Sequence, residues 1–314
     1  MSTFTTAVGI DFGGTSVKSA VVRDGKVVHR AAPMDPQAAP NSDALLDNLV
    51  EMIAGMKADF PDIAGVGIGL PGFVDWDRGI LHELTNVPGW NNLPLRDILR
   101  QRTGLPVTIE NDANAMAYAE YKYGAARGAR HILCITLGTG VGGALILDGR
   151  IFRGAQFAAG EIGHMSIDYR GVAGPYGNFG GLEEYVGNVQ IAERAAERYR
   201  QAGHTKNPAE CTPADLSDAA VRGDPVAAKM WDDLGIELGA ALSNVVWIIN
   251  PDMIVIGGGV AKAGALLFDP IRREIRQRTL ALYHEKLQVV PAELGNDAGI
   301  IGNAVLALET AQVS

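Results

Sequence analysis

Residues 14–25 and 138–149 repeat one pattern at an offset of 124 positions. Gly14 falls on Gly138, Thr15 on Thr139, Val17 on Val141, Ala20 on Ala144, Asp24 on Asp148 and Gly25 on Gly149, with apolar residues matching between them. In each copy an apolar run leads into Asp-Gly and then into a second strand-like run, Lys26–Arg30 or Arg150–Phe152. Asp-Gly between two such runs signals a type I′ hairpin, whose two central residues both take positive φ. A pattern that recurs only twice cannot build a solenoid, which needs several stacked repeats. The reading is therefore a duplication into two lobes, with a boundary near residues 118–130. With 314 residues, 47% of them hydrophobic, the chain is long enough to give each lobe its own core.

Thirty-six acidic residues against 27 Lys and Arg leave a net charge of -9, the wrong sign for nucleic acid or an anionic membrane surface. A phosphorylated small molecule is still allowed, because backbone N–H groups hold phosphate without a basic surface. Cys134 and Cys211 cannot form a disulfide framework, and no CxxC pair is present to hold zinc. The N-terminus has no basic and apolar leader pattern, and no apolar run is long enough to span a bilayer. These features together read as a reducing, cytoplasmic setting with no membrane and no nucleic acid.

Several further elements are legible. Residues 7–11 form a short strand, Val66–Leu70 a buried strand running into Pro71-Gly72, and residues 106–110 another ending at Asn111-Asp112. The spacing of Leu45, Leu49, Met52, Ile53 and Met56 after Asn41 and Ser42 predicts a capped helix over 42–58, and residues 113–123 read as a second helix. Beyond residue 182 the pattern predicts helices over 183–202, 224–249, 263–280 and 300–311. Among them stands a lone buried strand, residues 253–256, ending in Gly257-Gly258-Gly259.

Gly138-Thr139-Gly140-Val141-Gly142-Gly143 matches GxGxxG, but a dinucleotide fingerprint needs a helix next, and here a strand and a hairpin turn follow. No Walker A string is present. What remains is a pair of Gly-Thr turns between antiparallel strands, whose N–H groups and Thr hydroxyls suit phosphate oxygens, with glycine supplying unusual torsions or close approach. Asp11, beside the first turn, is placed to hold Mg²⁺ through water, although an Asp before a turn is ordinarily turn chemistry. Asn111-Asp112 is an ordinary N-capping pair by composition, yet from the end of a buried strand a carboxylate here could accept a proton from an alcohol. Glu161 and His164, three apart in a glycine-rich stretch, read as ligand hydrogen-bonding groups.

Asp11-Phe12-Gly13-Gly14-Thr15, Glu110-Asn111-Asp112-Ala113-Asn114-Ala115, Leu137-Gly138-Thr139-Gly140-Val141-Gly142-Gly143, Gly160-Glu161-Ile162-Gly163-His164-Met165 and Ile256-Gly257-Gly258-Gly259 together resemble the ROK family of sugar kinases and sugar-responsive repressors. The resemblance implies an α/β, two-lobed actin-like or hexokinase-like ATPase fold of duplicated ribonuclease H-like domains. It implies an N-terminal lobe over 1–118, completed by a C-terminal helix at 300–314, and a C-terminal lobe over 119–299. It assigns Asp112 as general base, and Asn111, Glu161, His164, Glu183, Asn86 and Gly72 to the sugar. It assigns Gly13, Gly14, Thr15, Lys18, Gly138, Thr139 and Gly140 to the phosphates of ATP, Gly258 and Gly259 to the nucleoside end, and Asp11 to Mg²⁺.

One departure stands out. ROK proteins commonly carry zinc on the His of Gly-His-Met and three Cys; here the Cys positions are Gly174, Tyr176 and Gly181. No structural zinc is expected, and the 170–181 loop is expected to be ordered by packing of Tyr169, Tyr176 and Phe179. The resemblance thus implies an ATP-dependent hexose kinase, foremost glucose to glucose 6-phosphate, working as a homodimer or larger homo-oligomer whose lobes close on sugar. Kinases for N-acetylglucosamine, N-acetylmannosamine, mannose, fructose or allose share these motifs, and some relatives use polyphosphate. A sugar-sensing repressor is disfavoured, since the first strand begins by residue 7 and the charge is acidic.

Overall fold

The computed structural model describes residues 5–84, 87 and 89–313. The chain divides into two compact units, Met1–Arg127 with Arg153–Ala159 and Leu294–Ser314, and Gly128–Phe152 with Gly160–Glu293.

In the first unit the strands are β1 (Thr6–Phe12), β2 (Val17–Arg23), β3 (Lys26–Arg30), β4 (Val66–Leu70), β5 (Val74–Asp75), β6 (Ile80–Glu83), β7 (Asn91–Leu93) and β8 (Val107–Asn111). Its main sheet runs β3-β2-β1-β4-β8, and β5-β6-β7 form a small antiparallel sheet. The second unit contributes β9 (Ile132–Leu137), β10 (Val141–Leu147), β11 (Arg150–Phe152), β12 (Met253–Gly258) and β13 (Gln288–Pro291), in the order β11-β10-β9-β12-β13. Both five-stranded sheets are built alike: two antiparallel hairpin partners, then two strands parallel to the first. β2 and β10 start and end at positions related by the sequence repeat. Their hairpins are the type I′ turns expected of Asp-Gly, with φ of 50° and 73° at Asp24 and Gly25 and 51° and 74° at Asp148 and Gly149.

Alternation along β1 and β4 gives the first sheet two different faces. Val8, Ile10, Val66 and Ile68 join a core with Leu45, Leu49 and Ile53 of the helix Ser42–Asp59 and with Leu95 and Leu99 of the helix Leu95–Thr103. The other face carries Gly9 and Gly67, against which the helix Ala298–Val313 lies almost backbone to backbone: a Cβ at Gly9 would fall 1.9 Å from the Ile300 carbonyl oxygen, and one at Gly67 1.8 Å from that of Asn303. Asn303 uses this approach, donating from Nδ2 to the Ile10 carbonyl at 2.8 Å. In the second unit Leu133, Ile135, Ile254 and Ile256 pack with Leu238 and Leu242 of the helix Pro225–Ile249 and Ile271 of the helix Ala265–Arg278.

Where the chain leaves the first unit, the helix Asp112–Tyr123 ends over a buried carboxylate. Glu120 accepts from the Ala125 N–H on one oxygen and from the Leu294 N–H on the other, both at 2.8 Å.

Four sequence expectations change. Residues 253–256 are not a lone strand, since β12 lies between β9 and β13; β13 is a four-residue strand ending in Pro291, too short and too proline-marked to announce itself. The helix expected over 183–202 breaks at Gly187 into Glu183–Val186 and Asn188–Gln201. A 3₁₀ turn, Val260–Ala263, precedes the helix expected from 263. The strand expected to follow Gly143 begins earlier, at Val141, directly after the Gly-Thr turn of residues 138–140. Among the described residues no helix is long and apolar enough to cross a membrane.

Candidate active site

In the first unit the candidate residues follow the carboxyl ends of the adjacent parallel strands β1, β4 and β8, the edge at which open α/β sheets hold ligands. Asp11 is next to last in β1 and stands opposite Lys18 in the β1–β2 ladder. Burial raises the Asp11 pKa, and the Lys18 charge pulls it back down. The turn that follows is closed by Gly13 N–H donating to the Ser16 carbonyl at 3.0 Å, which leaves Gly14 and Thr15 exposed at the tip.

β8 runs into the helix Asp112–Tyr123 through Asn111. Asn111 caps this helix, its Oδ1 accepting from Asn114 N–H at 3.1 Å, and its Nδ2 donates to the Gly72 carbonyl at 3.2 Å. Asp112 is the first helical residue; its side chain is exposed, with Oδ1 accepting from Ala113 N–H at 2.8 Å. Gly72, Asn111 and Asp112 are thus brought together, while Asn86 lies outside the described residues.

Directly beneath them is Glu110, which sequence reading left without a role. Its side chain is 3% exposed, and its Oε2 accepts a two-pronged contact from Arg153 Nε and Nη2 at 2.9 and 2.6 Å. A buried acid at the end of an apolar strand was a visible signal for Glu110; nothing in the sequence marked Arg153.

In the second unit the candidates follow the parallel strands β9 and β12. The turn after β9 is closed by Gly138 N–H to the Gly140 carbonyl at 3.0 Å. Glu183 Oε2 accepts from the next N–H, that of Val141, at 2.8 Å, and a Cβ at Gly140 would fall 2.3 Å from that same oxygen. Gly13, Gly138 and Gly140 do not adopt positive φ, contrary to the expectation of unusual torsions; at Gly140 the requirement is space for the carboxylate. Gly258 does need its freedom, with φ of 89° and a would-be Cβ 2.1 Å from the Leu137 carbonyl oxygen, which sets Gly258 and Gly259 beside the turn. The Asn188 N–H, in the first turn of its helix, donates to the Gly138 carbonyl at 2.9 Å.

Glu161, His164 and Glu183 are close enough to act on one another electrostatically. Burial raises the Glu161 pKa; His164 lowers it and Glu183 raises it further. The Tyr176 and His164 rings pack nearly at right angles, centroids 4.9 Å apart.

The loop beyond His164 does not fit zinc. The space between positions 174 and 181 is filled by the Asn178 carboxamide: a Cβ at Gly174 would lie 2.4 Å from its Oδ1, and one at Gly181 3.3 Å from its Nδ2. That Nδ2 donates to the His164 carbonyl at 3.1 Å. The aromatic packing expected to order the loop is not what does so, since Tyr169 and Phe179 are exposed at 75% and 53%. Backbone pairing does it instead, Gly174 N–H to Asn178 O and Gly180 N–H to Val172 O, together with Ser166 Oγ to Phe179 O. Tyr176 packs its ring against the histidine.

The sequence pattern of the ROK family matches residues 7–310. The chain belongs to the ROK family. Among its ROK relatives, a protein named glucokinase from Halalkalibacterium halodurans is 36% identical over 310 residues, covering 95% of this chain and 94% of that one. A glucokinase from Thermotoga maritima is 33% identical over 96% of this chain and 97% of its own. The crystal structure of a ROK family glucokinase from Streptomyces griseus, in complex with glucose and AMPPNP, superposes with a TM-score of 0.78 at 32% identity, covering 97% of this chain and 99% of that one. The ROK fold, with its paired α/β sheets, is therefore the fold of this chain.

Proposed function

We infer that the protein is a hexose kinase that transfers the γ-phosphoryl group of ATP to glucose, giving glucose 6-phosphate and ADP. The relatives named glucokinase, and the Streptomyces griseus structure holding glucose and an ATP analogue with nitrogen in place of the β–γ bridging oxygen, support this reading. The observation that carries it in this chain is Asp112: an exposed carboxylate at the N-terminus of a helix, with Asn111 capping that helix and tied beside it.

In this reading Asp112 accepts the proton of the C6 hydroxyl as that oxygen attacks the γ-phosphorus; the bond to the β–γ bridging oxygen breaks and ADP leaves. Phosphoryl transfer asks little covalent chemistry of the protein, so positioning and charge neutralisation dominate. Gly72, Asn111, Glu161, His164 and Glu183 would hold sugar hydroxyls. Gly13, Gly14, Thr15, Lys18, Gly138, Thr139 and Gly140 would hold the phosphates, and Gly258 and Gly259 the nucleoside. Asp11 fits Mg²⁺ held through water, as one partly buried carboxylate in place of a full ligand cage. When bound, Mg²⁺ would neutralise the phosphate oxygens. A cytoplasmic location and assembly into homodimers or larger homo-oligomers complete the reading.

Following ADP release with a panel of hexoses tests it. Glucose should be turned over fastest, and Asp112→Asn should lower kcat by about 10²–10⁴-fold with the fold retained. Equal rates across many hexoses would refute the assignment to glucose, and full activity of Asp112→Asn would refute the base. The 164–181 loop is proposed to work without metal, so elemental analysis of dialysed protein should find far less than one zinc per chain; stoichiometric zinc would overturn that.

A further inference from the structure

We propose that Arg153 is a positioning residue for phosphoryl transfer, acting through Glu110 to fix the helical turn that presents Asp112. The proposal rests on the reading of Asp112 as the base.

Glu110 and Asp112 are separated by one residue, but their environments are opposite. Glu110 is buried and its two oxygens are divided between near and distant partners: Oε1 accepts from Asn111 N–H and from Asn114 Nδ2, each at 3.0 Å, while Oε2 takes the guanidinium fork of Arg153. One carboxylate therefore holds the backbone of the residue before Asp112 and the side chain of the residue two after it. Asn114 is itself buried, at 3% exposure, so its amide has no water to turn to if Glu110 shifts.

Arg153 sets its guanidinium charge directly against the buried Glu110 carboxylate. A planar fork on a carboxylate fixes direction as well as distance, which a single ammonium cannot do. The guanidinium is also clamped from its face by Trp76, 4.2 Å from the ring centroid. Trp76 follows β5, close in the chain to Gly72, whose carbonyl receives the Asn111 amide. The Arg153 fork, the Trp76 face, the Glu110 carboxylate and the Asn111 cap thus form one continuous set of contacts ending at Asp112.

The chain path gives this set a further property. β11 ends at Phe152 in the second unit, and Arg153 opens the segment Arg153–Ala159 that packs with the first. The ion pair ties the first residue of that segment to Glu110, next to Asn111 and Asp112 in β8 and its helix. Removing one member of a buried pair leaves the other uncompensated, and a displacement of about 1 Å in a catalytic group costs about 10²-fold in rate.

The test is the kinetics of Arg153→Met, Arg153→Lys and Glu110→Gln, with rates expressed per folded molecule by circular dichroism. Arg153→Met should lower kcat by about 10- to 100-fold while the KM for ATP stays within about twofold. Arg153→Lys, which keeps the charge without the fork, should fall between it and the parent. Glu110→Gln removes the charge without leaving an unpaired buried carboxylate, and should also lower kcat at constant KM for ATP. An unchanged kcat in the folded Arg153→Met or Glu110→Gln variant overturns the proposal, as does a loss shared equally between kcat and ATP affinity. Asp112→Asn separates the two levels: if it is inactive while Arg153→Met is fully active, only the positioning role falls, and if Asp112→Asn is active, the base assignment falls first.

Discussion

Glu161, proposed above to hold a sugar hydroxyl, shows how binding and a stable fold can pull apart. Burial raises its pKa, so its ionised form is disfavoured in the folded chain. The cost is absent below the unfolded-state pKa of about 4.3 and grows as pH rises through the folded value. Glu161→Gln should therefore melt at a higher temperature than the parent at pH 7.5, with the difference shrinking toward pH 4, and should bind glucose more weakly; a pH series of thermal melts checks the sign. Asp112 and its companions were legible in the sequence because they lie together in Glu110-Asn111-Asp112-Ala113-Asn114. Arg153 was not, because its partner is 43 residues away and only the fold brings them together. Asn178 was equally hidden: what the sequence displayed was three missing thiols, whereas the space between two of those positions is filled by an amide no motif describes.

Among elements, the hairpins were the most legible, since Asp-Gly demands positive φ at two successive residues whatever surrounds it. β13 was lost because a short edge strand has no period to read, and the break at Gly187 because a helix interrupted for one residue keeps its apolar spacing on both sides. Gly9 of β1 and Gly67 of β4 bring no side chain to the packing of their sheet. They are the seat of the helix Ala298–Val313, whose backbone would overlap any side chain placed there. Gly67→Ala should lower stability by about 1–3 kcal/mol or more, seen as an earlier urea midpoint with unchanged slope. A midpoint equal to that of the parent would mean the helix can shift outward freely.

The two sheets share one strand order and one pattern of strand directions, so a single ancestral plan accounts for both, yet their details have diverged according to task. One carries an exposed carboxylate at a helix start, the other a carboxylate that secures a glycine turn. The chain first leaves the first unit after Arg127 and returns to it for the last time at Leu294, and the side chain of Glu120 holds backbone near both places. Two amide protons far apart in sequence therefore owe their shelter to the same two oxygens. In deuterium, Ala125 and Leu294 should exchange in step, and Glu120→Ala should speed both together and leave the Asp24-Gly25 hairpin at its original rate.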